Sequence, residues 1–131
     1  MKGEPRWVSK RAAIAIHGEL LAQHGGKPGV LDEGLLDAAM EAPKHHFAYE
    51  QASLFRLAAV YGYGLCQNHP FVDGNKRVAL VVLSTFLGLN GLELDAPESE
   101  AYLQIDGVAA GKISREELET WIRASCVPMS A

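Results

Sequence analysis

Apolar residues recur along this chain at steps of three and four, the spacing that lines them up on one face of an α-helix. Over residues 9–24 the set is Ala12, Ala13, Ile16, Leu20 and Leu21, and "HGG" at 24–26 stops the run. The stretch "GKPG" at 26–29 reads as a loop. Asp32 is placed to cap a short helix carrying Leu35, Leu36, Ala39 and Met40, which should end before Pro43. The next stripe, Leu54, Leu57, Ala58, Tyr61 and Leu65, predicts a helix over 51–67. Pro70 ends it, and His69, as the residue before a proline, is biased out of the helical region. A further helix should open near Asn75 and run to a cap at Asn90-Gly91. It is apolar on almost every face, so other helices should surround it. After Pro97 come helices at about 98–110 and 115–125, the last with Ser114 and Glu117 at capping-box spacing. Only 44–50, "KHHFAYE", has some strand character. The pattern predicts an all-α single domain over 1–131, a compact bundle of about six helices around the 75–90 helix.

Composition narrows the function classes. The 131 residues suffice for a real core, and a 48% hydrophobic share is that of a soluble globular protein. A net charge of -4 and a pI near 5.7 argue against direct nucleic-acid binding, though not against a local basic pocket for one phosphate. Cys66 and Cys126 form neither a disulfide framework nor a metal motif. The start, "MKGEPRWVSKR", lacks a signal-like apolar run. The oiliest segment, 78–89, is too short to span a bilayer, so no membrane role is expected and a reducing cytoplasm is the simplest location.

The densest chemistry is "NHPFVDGNKR", residues 68–77, at the mouth of the oily helix. A helix N-terminus presents unpaired N–H groups and a positive dipole end, which suit an anion. Gly74 lets a phosphate approach the backbone, Asn75 can donate hydrogen bonds, and Lys76 and Arg77 add positive charge. Asp73 is out of place in a plain anion site, but a carboxylate beside phosphates commonly holds Mg²⁺. His69 can take a proton near neutral pH. These are the parts for phosphoryl or nucleotidyl transfer. A purely structural reading assigns the same residues otherwise: His69 or Asp73 as helix caps, Gly74 and Asn75 as turn residues, Lys76 and Arg77 as a solvated first turn. Local chemistry alone leaves both open. The two cations oppose the helix dipole, which favours the functional one.

"HPFVDGNKR" resembles the signature of the Fic/Doc superfamily, His-x-Phe-x-Asp/Glu-Gly/Ala-Asn-x-Arg. "LAQHGGKPGVLDEGLLDAAMEAP" and the oily helix ending in "LNG" resemble its Doc (death-on-curing) branch, so the resemblance spans roughly 13–125. The AMP-transferring Fic enzymes carry a glycine where this chain has Lys76 and a second arginine where it has Leu80. Both departures point to the Doc branch, whose members bind ATP in the reverse direction and phosphorylate a target. Upstream, Doc-like chains often carry an arginine where Leu31 stands.

The resemblance implies a toxin of a bacterial toxin–antitoxin pair, an enzyme that moves the γ-phosphate of ATP to a hydroxyl of a protein of the translation machinery, an elongation factor. It implies that His69 activates that hydroxyl, Asp73 binds Mg²⁺, Gly74 and Asn75 hold phosphate oxygens, and Lys76 and Arg77 neutralise the transferred group. Phe71 would anchor the loop in the core, which its apolar character also suggests. AMP transfer by the same site is the enzymatic alternative, and an inert, partner-binding relative the other. Many Fic proteins silence themselves with Ser/Thr-x-x-x-Glu-Gly/Asn, a string this chain lacks. Inhibition is therefore expected from a separate antitoxin with a tail that folds on binding.

The remaining polar residues read more plainly. His45 and His46 are adjacent and have no partners at zinc spacing; the superfamily's target-aligning flap would fall in this region, and a plain surface loop is the other reading. His17 and His24 read as surface helix residues, Cys66 as a buried small residue, and Trp7 and Trp121 as packing anchors.

Overall fold

In a computed structural model, which describes residues 3–130, the chain forms α1 (Lys10–His24), α2 (Glu33–Glu50), α3 (Leu54–Asn68), α4 (Asn75–Leu89), β1 (Leu92–Leu94), α5 (Glu98–Ala109), α6 (Arg115–Ser125) and β2 (Cys126–Pro128). Local chemistry starts most of the helices. The Ser9 hydroxyl accepts the Ala12 N–H at 3.0 Å, the Asp32 carboxylate that of Leu35 at 2.9 Å, and the Ser53 hydroxyl that of Arg56 at 3.2 Å. The predicted capping box is present: Ser114 Oγ accepts from Glu117 N, and Glu117 Oε1 from Ser114 N.

Helix α3 and helix α4 form the centre. Helix α3 touches α2, α4, α5 and α6; α4 in turn packs on α1, α5 and β1. Tyr61 and Phe86, both fully buried, meet with ring centroids 5.1 Å apart, and Trp7 stacks on Phe86 at 5.8 Å. The Tyr61 hydroxyl accepts the Val8 N–H at 3.0 Å and donates to the Val8 carbonyl at 3.2 Å, which ties the segment before α1 to the core. Burial pushes the Tyr61 phenol up to about 12.

Helix α2 departs from expectation. It does not stop before Pro43 but runs through it to Glu50, so 44–50 is helix, not strand. An interior proline costs a helix about 3 kcal/mol. Here Pro43 is buried in one continuous stripe with Leu36, Ala39 and Met40, and Phe47 beyond it packs edge-on against Trp7 at 6.0 Å. Burying Leu36 and Met40, at about 1.5–3 kcal/mol per large apolar side chain, together with the partly buried Phe47, offsets that cost. The strands lie elsewhere. Gly91, at φ 84°, turns the chain out of α4, and β1 pairs antiparallel with β2, Glu93 opposite Val127. Among the described residues no helix is long and apolar enough to cross a membrane.

Candidate active site

The segment 69–74 joins α3 to α4, and its shape follows from its residues. Pro70 bars His69 from the right-handed helical region, and His69 ends α3 in the left-handed one at φ 50°, ψ 54°. It is therefore the C-cap of α3, with its ring exposed. Phe71 then plunges into the core and is fully buried. Asn75 staples the turn: its Oδ1 accepts the Phe71 N–H and its Nδ2 donates to the Phe71 carbonyl, both at 2.9 Å. The amide of this buried residue is thus used inside the loop, and what it can offer a phosphate is its main-chain N–H.

A second segment braces the first. Pro70 O accepts the N–H of Leu31 at 2.7 Å and of Asp32 at 3.1 Å, Val72 N–H donates to Gly29 O at 3.0 Å, and Val30 and Phe71 form an antiparallel bridge. The segment 44–50 is neither a target-aligning flap with a strand edge nor a surface loop, because it is helical; the extended contact with the motif comes from 29–32.

Asp73 does not cap α4. Its carboxylate accepts the N–H of Lys27 at 3.1 Å through Oδ2 and that of Gly74 at 2.9 Å through Oδ1. These two bonds, Lys27's first, lower its pKa below the ordinary value, helped by the charges of Arg77 and Lys27. Gly74 is the N-cap, at φ 78°, a left-handed conformation that favours glycine, and no side chain caps the helix there. The first N–H groups of α4 consequently have no side-chain acceptor at the cap. Lys76 reaches across to Asp106 on α5, Nζ to Oδ1 at 3.1 Å, while Arg77 is exposed and makes no ion pair among the described residues.

The structure brings His69, Asp73, Gly74, Asn75, Lys76 and Arg77 onto one cavity of about 750 Å³, the size of a small-molecule site. Its other walls are His24, Cys66 and the α5 residues Glu98, Tyr102, Asp106 and Ala109. Sequence reasoning missed this far wall. Its only signal is the spacing 98, 102, 106, 109, which puts those residues on one helix face without saying what the face meets. The donor set fits Mg²⁺ bound in the usual mixed way: the exposed carboxylate of Asp73, held ionised by its two N–H donors and with remaining lone pairs available, beside cations and N–H groups for phosphate oxygens, with Glu98 and Asp106 on the facing wall. Among the described residues no group of His, Cys, Asp and Glu forms a metal cage of protein ligands alone.

The other expectations divide. Burial pushes the Cys66 thiol up to about 12, as befits a packed residue and not a nucleophile. Trp7 is a packing anchor; Trp121 is partly buried and donates from Nε1 to Glu100 at 2.8 Å. His46 pairs through Nδ1 with Glu50 and accepts at Nε2 from Arg115, each at 3.2 Å, which leaves no ring nitrogen for a metal. His24 is exposed, as expected, but at the cavity wall. His17 is not a surface residue: it is buried, its ring stacked on Phe71.

The model of the Fic/DOC family matches residues 7–87. The chain is 35% identical over 120 residues to "Protein kinase doc" of Escherichia phage P1, covering 90% of this chain and 94% of that protein. It is 43% identical over 76 residues to "Toxin Doc" of Mycolicibacterium smegmatis (strain ATCC 700084 / mc(2)155), 55% of this chain and 57% of that one.

Proposed function

The chain belongs to the Fic/DOC family and resembles its Doc branch, and from that premise we propose that it transfers the γ-phosphate of ATP to a hydroxyl of a target protein. The observation that carries the reading is the uncapped N-terminus of α4, with Lys76 and Arg77 in its first turn and the ionised carboxylate of Asp73 beside it, all on one cavity. Phosphates would lie against the first N–H groups of α4 and between the two cations. Asp73 would hold Mg²⁺, which supplies charge neutralisation along the phosphate chain.

His69, exposed on the same cavity, takes the proton of the target hydroxyl. The hydroxyl oxygen forms its bond to the γ-phosphorus as the bond from that phosphorus to the bridging oxygen breaks, and ADP leaves with the electron pair. Lys76 and Arg77 balance the charge on the moving group. Lys76 also supports the direction of transfer. It occupies the first turn of α4 where AMP-transferring relatives have a glycine, and Leu80, one turn on, is apolar and nearly buried, so nothing there grips a terminal phosphate from the other side.

The same reading makes the protein a toxin of a toxin–antitoxin pair, with an elongation factor as target, a cytoplasmic site of action, and a separate antitoxin whose tail folds on its surface. The test uses a bacterial lysate and ATP labelled on either the γ- or the α-phosphate. Only the γ-label should pass to a protein band. Transfer of the α-label would replace this reading with AMP transfer, and no Mg²⁺-dependent ATP affinity at all would leave an inert, partner-binding protein.

A further inference from the structure

His17 is the one buried side chain of α1 that is polar, in a position whose helical neighbours Ala13, Ile16 and Leu20 face the core. An apolar residue would fill that place without the cost of burying two ring nitrogens. The ring lies flat against Phe71, centroids 4.1 Å apart and planes 16° from parallel, and its Nε2 is 2.9 Å from the main-chain oxygen of Asp73. A carbonyl oxygen only accepts, so Nε2 must carry the hydrogen.

That bond lands on the residue whose carboxylate faces the cavity. Asp73 O belongs to the peptide that leads into Gly74, and the Asp73 carboxylate is clasped by the N–H groups of Lys27 and Gly74. A Cβ on Gly74 would come within 3.8 Å of the His17 ring, so the imidazole also lies directly under the left-handed turn that opens α4. Asn75 fastens the loop at Phe71 and leaves the Asp73 peptide to His17.

We propose that His17 is a positioning residue: by holding the Asp73 carbonyl from below, it sets the direction of the Asp73 carboxylate and of the first N–H groups of α4. This rests on the phosphotransferase reading only for its catalytic consequence; the positioning itself is a property of the free chain. His17 touches no reacting atom and acts through Asp73.

The test uses the full chain, ¹⁵N-labelled, without nucleotide. Ring ¹⁵N shifts of His17 should report a hydrogen on Nε2; a bare Nε2 with the hydrogen on Nδ1 alone would overturn the proposal. His17→Phe keeps a ring on Phe71 and removes the donor, whereas His17→Gln puts an amide N–H at similar reach without the ring. Hydrogen exchange of the Lys27 and Gly74 amides should rise about tenfold in H17F, the scale of one lost hydrogen bond, while that of Leu118 and Ile122 in α6 stays put. H17Q should restore most of it. Unchanged exchange at Lys27 and Gly74 in folded H17F would make His17 a packing residue only. In the transfer assay H17F should lose about tenfold in kcat with a smaller change in KM for ATP, and H17Q should recover most of the loss; equal losses in both would mean that a restored donor does not restore the site, and would sink the proposal. If the wild-type chain transfers no phosphate, the phosphotransferase reading fails, and the tautomer and exchange arms still decide the role of His17.

Discussion

Gly26 offers a way to move the Asp73 carboxylate without touching the 68–77 motif. It lies in the bracing loop at φ 120°, and a Cβ added there would sit 2.9 Å from Asp73 Oδ2 and 3.0 Å from Leu21 Cδ2. Ordinary contact begins near 3.4 Å, so in Gly26→Ala the carboxylate must retreat by about half an ångström (3.4 less 2.9) or the loop must lift. Either way the Lys27 N–H, now 3.1 Å from Oδ2, loses its grip. The backbone penalty of an alanine in this glycine conformation is about 1–3 kcal/mol. Gly25→Ala is the matched control: its φ of 76° is also positive, but its Cβ would meet nothing within 4 Å. Both variants should lower unfolding free energy by a similar amount in a urea titration. Only Gly26→Ala should also lose transfer, by about tenfold to a hundredfold in kcat/KM, the scale on which misplacement of up to an ångström costs a site. If the two variants lost activity equally, the direction of the Asp73 carboxylate would be irrelevant to transfer and the Mg²⁺ assignment would fall with it.

Other outcomes follow from the same geometry. His69→Ala should leave unfolding and nucleotide binding nearly intact and cut transfer by about 10² to 10⁴; growth inhibition that survives the change would remove His69 from its role. Asp106→Asn frees Lys76 from its half-exposed ion pair, which should change stability by less than about 1 kcal/mol and tighten ATP binding by about threefold, as read by titration calorimetry. Glu119, on α6, is outside the cavity lining. Burial alone would raise its pKa, but the hydrogen bonds from Arg56 at 2.9 Å and Arg123 at 3.0 Å outweigh that and lower it below 4.5. Its contribution to stability is therefore complete above pH 4.5 and is lost as pH falls through the depressed value. Thermal melts from pH 7 to pH 3 should show Glu119→Gln less stable than wild type at neutral pH, with the gap closing toward pH 3.

How far the sequence spoke depended on the range of the interactions. Caps and stripes act within a turn or two, so Asp32 and Ser114 announce the helices they open, and Asn90-Gly91 announces the end of α4, while the caps at Ser9 and Ser53 were seen only in the structure. The motif residues were legible as chemistry because they crowd into ten positions beside a helix start. What lay beyond was decided at long range. Helix α2 passes through Pro43 because its stripe finds α3 and Trp7 to pack on, a gain no local rule can weigh. The β1–β2 pair joins segments more than thirty residues apart. Asn75 turned inward because the buried Phe71 backbone needed a donor and an acceptor. His17, which by itself reads as one more polar helix residue, became a support of the site because the fold lays α1 under the loop and brings Asp73 O, 56 positions along the chain, within 2.9 Å of its ring. The sequence determined which groups stand at the mouth of α4; only tertiary packing decided what holds them there and which wall they face.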